Sequence, residues 1–234
     1  TPVPMQRMRP VSKRHFWRVH LILYEKIPRE VTFQQSASLS PSATGNQVYI
    51  DGAPVTGDSA TMAIGSGRLK GLVALRDDIS VTYQNQIDEM ARGLIEAFAE
   101  QDQSAVPALP DVAGLFTYSG APALPSTGVV VPGLAGQIKV NDSVNPVTGG
   151  NAALLRDGGI SGAAYVYNTS GNTSFADRLS ELFDTFNTQR SFDSAAKTET
   201  TASLLGFSSL SASWFENTRA NATDEAGFQT ALLA

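Results

Sequence analysis

Two histidines, His15 and His20, are the whole imidazole inventory of the 234-residue chain, and there is no cysteine. Imidazole is the usual general base and metal ligand near neutral pH, and a thiolate is the usual soft nucleophile. The histidines stand five apart in a basic N-terminal segment, which fits neither a helical metal pair nor an HExxH arrangement. A Ser–His–acid site would have to bring one of them from a terminal arm into a cleft. Carboxylate pairs such as Asp77–Asp78 are the other candidates. Adjacent side chains on a helix diverge, whereas glycoside hydrolysis needs two carboxylates converging on one bond. In "IGSGRLKG", Gly65, Gly67 and Gly71 match neither the dinucleotide fingerprint nor the Walker loop, so they read as a glycine-rich helix entrance with Ser66 as its cap. Asn141, Asn168, Asn172 and Asn221 begin glycosylation triplets, which arise by chance in a chain this rich in Asn, Ser and Thr. No catalytic, cofactor-binding or metal residue is assigned, and no cofactor is expected.

The elements that would position any site are clearer. Hydrophobic residues make up 42% of the chain and charged residues 17%, the composition of a folded protein. No apolar run approaches the roughly 18–20 residues of a membrane helix, and Val19–Tyr24 is too short for a signal-peptide core. The net charge of −5 is uneven: residues 1–30 carry +5 and the remainder −10. The basic arm reads as a solvated terminal segment, because no nucleic-acid-binding fold follows it; neither nucleic acid nor membrane is an expected partner.

The fold class read from the pattern is α+β: an elongated helical bundle around one long helix, with a β-hairpin region before it and a β-rich or irregular insertion between helices. Three parts are expected. Residues 1–66 hold the basic arm and short strands, residues 67–103 and 172–234 form a discontinuous helical body, and residues 104–171 are the Pro/Gly-rich insertion. "LYEKIPREVTF" suits an edge strand interrupted by Pro28, and "QVYIDGAPV" reads as a hairpin turning at Asp51–Gly52.

Arg68 to Asp102 contains no proline and reads as one helix, roughly 50 Å long at 1.5 Å per residue. Leu72, Leu75, Ile79, Tyr83, Ile87, Met90, Leu94 and Phe98 recur at close to the α-helical repeat and form its packing stripe. Asp77, Asp78, Asp88 and Glu89 lie off that stripe and are expected in solvent. Strand candidates in the insertion are Leu115–Tyr118, Gly128–Val131, Gln137–Val140 and Ala164–Tyr167. A second helix follows Ser174, its expected cap, and buries Phe175, Leu179, Leu182 and Phe186. A third carries Phe207, Leu210 and Trp214, weakens through Thr218, Asn221 and Glu225, and regains Phe228 and Leu232. These two helices are expected to cover the long stripe, with Ile87 in the core and Asp88 in solvent.

"SGRLKGLVALRDDISVTYQNQIDEMARGLIEAFAEQD" resembles the bacterial flagellar hook-associated protein 1 family, the hook–filament junction proteins. The likeness lies in the Gly-rich entrance, the Leu-rich turn, Arg76–Asp77, the Tyr–Gln–Asn–Gln run and the long amphipathic helix. "LYEKIPREVTF…QVYIDGAPV", "GLAGQIKVNDSVNPVTGGNAALLRDGG" and "SASWFENTRANATDEAGF" extend it from Leu23 to Ala234, the middle stretch resembling alphaproteobacterial versions; residues 1–22 fall outside it. The resemblance implies an extracellular axial adaptor exported by the flagellar type III apparatus. Its implied partners are copies of itself in the junction ring, hook protein, the second junction protein and, for the full-length protein, an export chaperone. The family's terminal assembly helices are not in this sequence, so a fragment that is monomeric in dilute buffer is expected. The competing reading is a secreted β-rich binding module or adhesin on a helical stalk; a hydrolase using scattered carboxylates is a third.

Overall fold

The computed structural model describes residues 29–36, 45–104, 106 and 109–233. His15, His20, most of the basic arm and the Leu23–Pro28 part of the first strand candidate lie outside the described residues. The described chain divides into two compact units, residues 29–35 with 46–64, and residues 36 and 45 with 65–233.

The first unit is a three-stranded antiparallel sheet of β1 (Val31–Phe33), β2 (Val48–Ile50) and β3 (Ala53–Pro54) in that order. Between β2 and β3, Asp51 and Gly52 take φ of 50° and 78°. Two successive positive φ values are what a tight two-residue hairpin requires, and Asp and Gly tolerate them. The Asp51 carboxylate also accepts hydrogen bonds from the Arg29 guanidinium (2.6 Å) and the Glu30 backbone N–H (3.1 Å), so the turn residue anchors the start of β1 as well.

The second unit is built on the long helix: α1 (Gly67–Ala74), a π-helical segment (Leu75–Ile79) and α2 (Ser80–Ala97) without a break. Ser66 occupies the N-cap position in an extended conformation but makes no capping hydrogen bond. The helix ends at Ala97, short of the expected Asp102. There the Glu100 backbone is drawn into a two-way bridge with Val112, N–H to O=C at 2.8 and 3.0 Å.

Within 104–171 the regular structure is sparse: β4 (Phe116–Thr117) pairs antiparallel with β5 (Lys139–Val140), and α3 (Leu154–Asp157) is a single turn. These strands fall inside two of the four candidates. Gly128–Val131 forms no strand, with Gly128 at its start and Gly133 just after it at positive φ, and Ala164–Tyr167 is split between the end of a 3₁₀ turn and an isolated antiparallel bridge of Val166 to Gly158. Next come α4 (Asp177–Thr185), the hairpin of β6 (Gln189–Ser191) and β7 (Thr201–Ser203), and α5 (Leu204–Leu233). Ser174 does not cap α4: its N–H and hydroxyl both bond the Asn172 side-chain oxygen, and the helix begins three residues later. The chain is α+β.

Two apolar clusters flank α2. Ala91 and Ile95 pack with Ala113 and Leu134 of the insertion, joined by Phe116 and Ile138. On the other side Phe192, Ala196, Ala202 and Phe207 form a second cluster with Met90 and Leu210; the Phe192 and Phe207 rings stack at 3.9 Å. The insertion therefore packs on the long helix, and the C-terminal helices are not its sole cover.

This changes the expected core. Of the assigned stripe, Leu72 (52% exposed), Leu75 (50%) and Tyr83 (41%) face solvent, as does Leu179 (42%) of α4. Ile79, Ile87, Met90, Leu94, Phe98, Phe186 and Trp214 are half-buried, and Leu182 is buried. Asp88 and Glu89, expected in solvent, have no exposed surface, and neither do Gln86 and Arg92. At about 100° per residue, Gln86, Glu89 and Gly93 share one side of α2 while Asp88, Ala91 and Ile95 share the opposite one. The periodic apolar residues run along the seam between those two covered sides. The wider π turn further shifts α1 out of phase with α2.

Candidate functional site: a buried polar belt and two open arms

The belt begins with what irregular segments lack. A short 3₁₀ turn or an open loop cannot satisfy its own first N–H groups, and burying them unpaired is costly. Asp88 supplies the partners for the turn at Leu134–Gly136. Its Oδ2 accepts from the Gly133 N–H at 2.7 Å, and its Oδ1 accepts from the Ala135 N–H at 2.8 Å and the Gln84 amide at 3.0 Å. Beyond the end of α2, Glu100 does the same for the N–H groups of Ile160 (3.0 Å) and Ser161 (2.8 Å).

On the opposite side Gln86 donates to the Ala196 carbonyl (2.9 Å) and accepts from the Ser211 hydroxyl (2.7 Å), tying one 3₁₀ turn and α5 to the same amide. Glu89 takes a bidentate pair from Arg92 (2.9 and 2.8 Å) and also accepts the Asp193 N–H at 2.9 Å. Arg92 donates further to Glu96 (2.6 Å) and the Ser191 carbonyl, and lies 5.5 Å from the Phe192 ring centre. Burial works to lower the Arg92 pKa, but Glu89 and Glu96 outweigh it and hold the value above normal, so the guanidinium stays charged. Asp193 is held below the usual carboxylate range by the backbone N–H groups of Ala195 and then Val130.

Arg178 performs a similar task at the end of α2. It pairs with Glu181, donates to the Ala99 carbonyl and lies 4.2 Å from the Tyr167 ring centre. Beside it a cleft of about 430 Å³ is walled by charges of both signs, including Glu96, Asp111, Arg178, Glu181 and Arg190. Arg190 Nη1 lies 3.7 Å from Glu96, Nη2 donates to the Thr185 carbonyl, and burial lowers its pKa. Arg178 pairs with Glu181 and Arg190 with Glu96, Asp111 accepts from the Gln101 amide at 3.5 Å, and among the described residues the buried Arg190 Nε has no hydrogen-bond partner. The belt's capability is mechanical: it fastens segments distant in sequence to one rod.

The arms are where the rod is uncovered. α5 runs antiparallel to α2, as the contacts between Gln86 and Ser211 and between the rings of Tyr83 and Phe215 (5.4 Å) require. Near its start it lies close enough that a Cβ on Gly93 would sit 2.8 Å from Leu204 Cδ1. Beyond Phe215 the burial ends: Phe228 is 59% exposed and Leu232 65%. On the long helix Leu72 of α1 and Leu75, the first residue of the π segment, are also open; the π segment is pinned where Asp77 accepts from Arg76 (2.6 Å) and the Gly45 N–H (2.8 Å), and Asp78 pairs with Lys197.

Gln86, Asp88, Glu89, Arg92 and Glu100 were not singled out by the sequence pattern as interior residues. A signal was present in the spacing of Gln86, Glu89 and Gly93 on one helical side, where Gln86 meets the small Ser211 and Gly93 lies close to Leu204 of α5. Comparison with known protein families, curated proteins and solved structures gives no match for this chain.

Proposed function

We propose that the chain is a structural subunit of the bacterial flagellum, acting as an axial adaptor at the junction of hook and filament. The observation that carries the structural reading is the long helix itself: clad on two sides through a polar belt along α2, and left with open apolar arms at α1 and the outer half of α5. A rod stiffened at one end and open at the other suits a subunit that works by contact with neighbours. The flagellar assignment rests on the resemblance of Ser66–Asp102 and its flanking stretches to hook-associated protein 1.

Under this reading the protein is exported, acts outside the cell without turnover, and contacts copies of itself, hook protein and the second junction protein. An elongated helical bundle is part of the same proposal. The adhesin-like alternative has less support, because Asp88 and Glu100 bind the 104–171 segment against the rod instead of letting it stand off on a stalk.

The test is in the organism that carries the gene. Antibody raised against the chain is expected to mark a narrow band between hook and filament in electron micrographs, and gene deletion to leave hooks without filaments. Label elsewhere, or normal filaments after deletion, would overturn the proposal.

A further inference from the structure

Two opposite charges, Arg190 and Asp111, line the cleft beside Arg178 and form no ion pair with each other. Arg190 enters it from β6. Its Nη2 donates to the Thr185 carbonyl at 3.2 Å, and its Nη1 stands 3.7 Å from Glu96, beyond hydrogen-bond reach. Glu96 is already engaged by Arg92 at 2.6 Å and by the Thr127 hydroxyl at 3.1 Å. The enclosed Arg190 Nε has no partner among the described residues. A single hydrogen bond therefore serves the whole guanidinium, and burial lowers its pKa, the mark of a charge short of compensation. Asp111 comes from the loop after α2. It is exposed, and among the described residues its side chain accepts only from the Gln101 amide, at 3.5 Å. The cleft thus holds one positive and one negative group whose partners are missing or loose.

We propose that this cleft binds a short peptide with free ends, its α-carboxylate on Arg190 and its α-ammonium on Asp111. The site is additional to the flagellar reading, and neither rests on the other. Charge decides the ligand class. The walls carry Glu96, Asp111 and Glu181 against Arg178 and Arg190, so a simple anion meets an excess of carboxylates. A simple cation at Asp111 would leave the guanidinium as it was. A ligand charged at both ends gives each group a charge-assisted hydrogen bond and adds no net charge to the cleft. Size decides the rest. The cleft of about 430 Å³ has room for on the order of a dozen waters, far more than a free glycine displaces. Two or three extended residues suit it, with ends up to roughly 10 Å apart.

The test is an NMR titration of the isotope-labelled chain with glycine, diglycine and triglycine, followed at the Arg190 side-chain N–H and the backbone amides of β6. Diglycine or triglycine is expected to shift them saturably and to bind at least about tenfold more tightly than glycine or acetate. Capping either end, as N-acetyl or as C-terminal amide, is expected to weaken binding about tenfold, the scale of one hydrogen bond to a charged group. R190Q and D111N are expected to weaken the uncapped peptide similarly. Each variant is also expected to become indifferent to the matching cap: D111N to acetylation, R190Q to amidation. The capped peptides test the site on the unaltered chain, so the result does not depend on R190Q folding.

Shifts that do not saturate, or affinities unchanged by both caps, would overturn the proposal. So would acetate or glycine binding as tightly as triglycine, which would reduce the cleft to a site for a single charge or a single amino acid. Any of these leaves the flagellar assignment standing, because localisation by antibody label does not depend on this cleft.

Discussion

α1 and α2 belong to one continuous helix, yet they meet opposite fates. α1 and the π segment offer Leu72 and Leu75 and keep them half exposed, whereas α2 buries Gln86, Asp88, Glu89 and Arg92 completely. Ranked by hydrophobicity, the assignment should be the reverse. The difference lies in what stands opposite. The short 3₁₀ turns at 134–136 and 194–196 and the residues just before them bring N–H and C=O groups that need partners, and a carboxylate or guanidinium that satisfies several at once offsets its own desolvation. Among the described residues no comparable backbone is hydrogen-bonded to α1, and Leu72 and Leu75 remain half exposed.

The strongest way to break this contrast is to strand a charge. Arg92→Ala leaves Glu89 buried with only the Asp193 N–H, and a cost of roughly 3–5 kcal/mol is expected in urea melts. A loss below about 1 kcal/mol, the range of an exposed ion pair, would mean that the belt is far wetter than described. Next comes Asp88→Ala, which orphans the N–H groups of Gly133 and Ala135 and is expected to cost about 2–3 kcal/mol. Its neighbour Ile87→Ala, half-buried on the seam, is expected to cost only about 1 kcal/mol. Equal costs at 87 and 88 would say that the seam is as much core as the flanks.

On the other side of the comparison, Leu72→Ala and Leu75→Ala should change stability by no more than about 0.5 kcal/mol in dilute protein. A larger loss there would show α1 to be covered in solution. The smallest effect expected concerns acid. Asp157, held by Arg156 and Asn168, titrates at about 2 instead of 3.8. A depressed carboxylate stabilises the fold above its unfolded pKa, and that contribution fades as pH falls from about 4 towards 2. Asp157→Asn should flatten the pH dependence of the melting temperature within that window. Unchanged steepness there would assign the acid response to other carboxylates.

Local rules were readable where local chemistry decides. Asp51–Gly52 announces its own turn, and the proline-free run after Gly67 announces a helix, because φ preferences and hydrogen-bond periodicity need no distant partner. The side of the helix that is buried was not readable in the same way. Asp88 looks solvated until Gly133 and Ala135 arrive from 45 and 47 residues away, and Glu89 until Asp193 arrives from 104. Ser174 shows the same limit at small scale: a good capping residue was claimed first by Asn172. Apolar spacing gave a true period but a face that is only half covered, since period is a property of one helix and burial a property of what covers it.

The reach of those belt contacts also governs how the molecule opens. The amide protons of Gly133, Ala135 and Asp193 sit outside regular strands and helices, where exchange with solvent is ordinarily quick. Here each is donated to a buried carboxylate on α2, to Asp88 from the insertion and to Glu89 from the β6–β7 hairpin, so each amide is shielded only while its own segment is docked. Their exchange should therefore be gated by undocking of the insertion for Gly133 and Ala135, and of the β6–β7 hairpin for Asp193. Long-range closure of this kind also delays the last stage of folding, because loops of this length must find the rod before either side of it is dry.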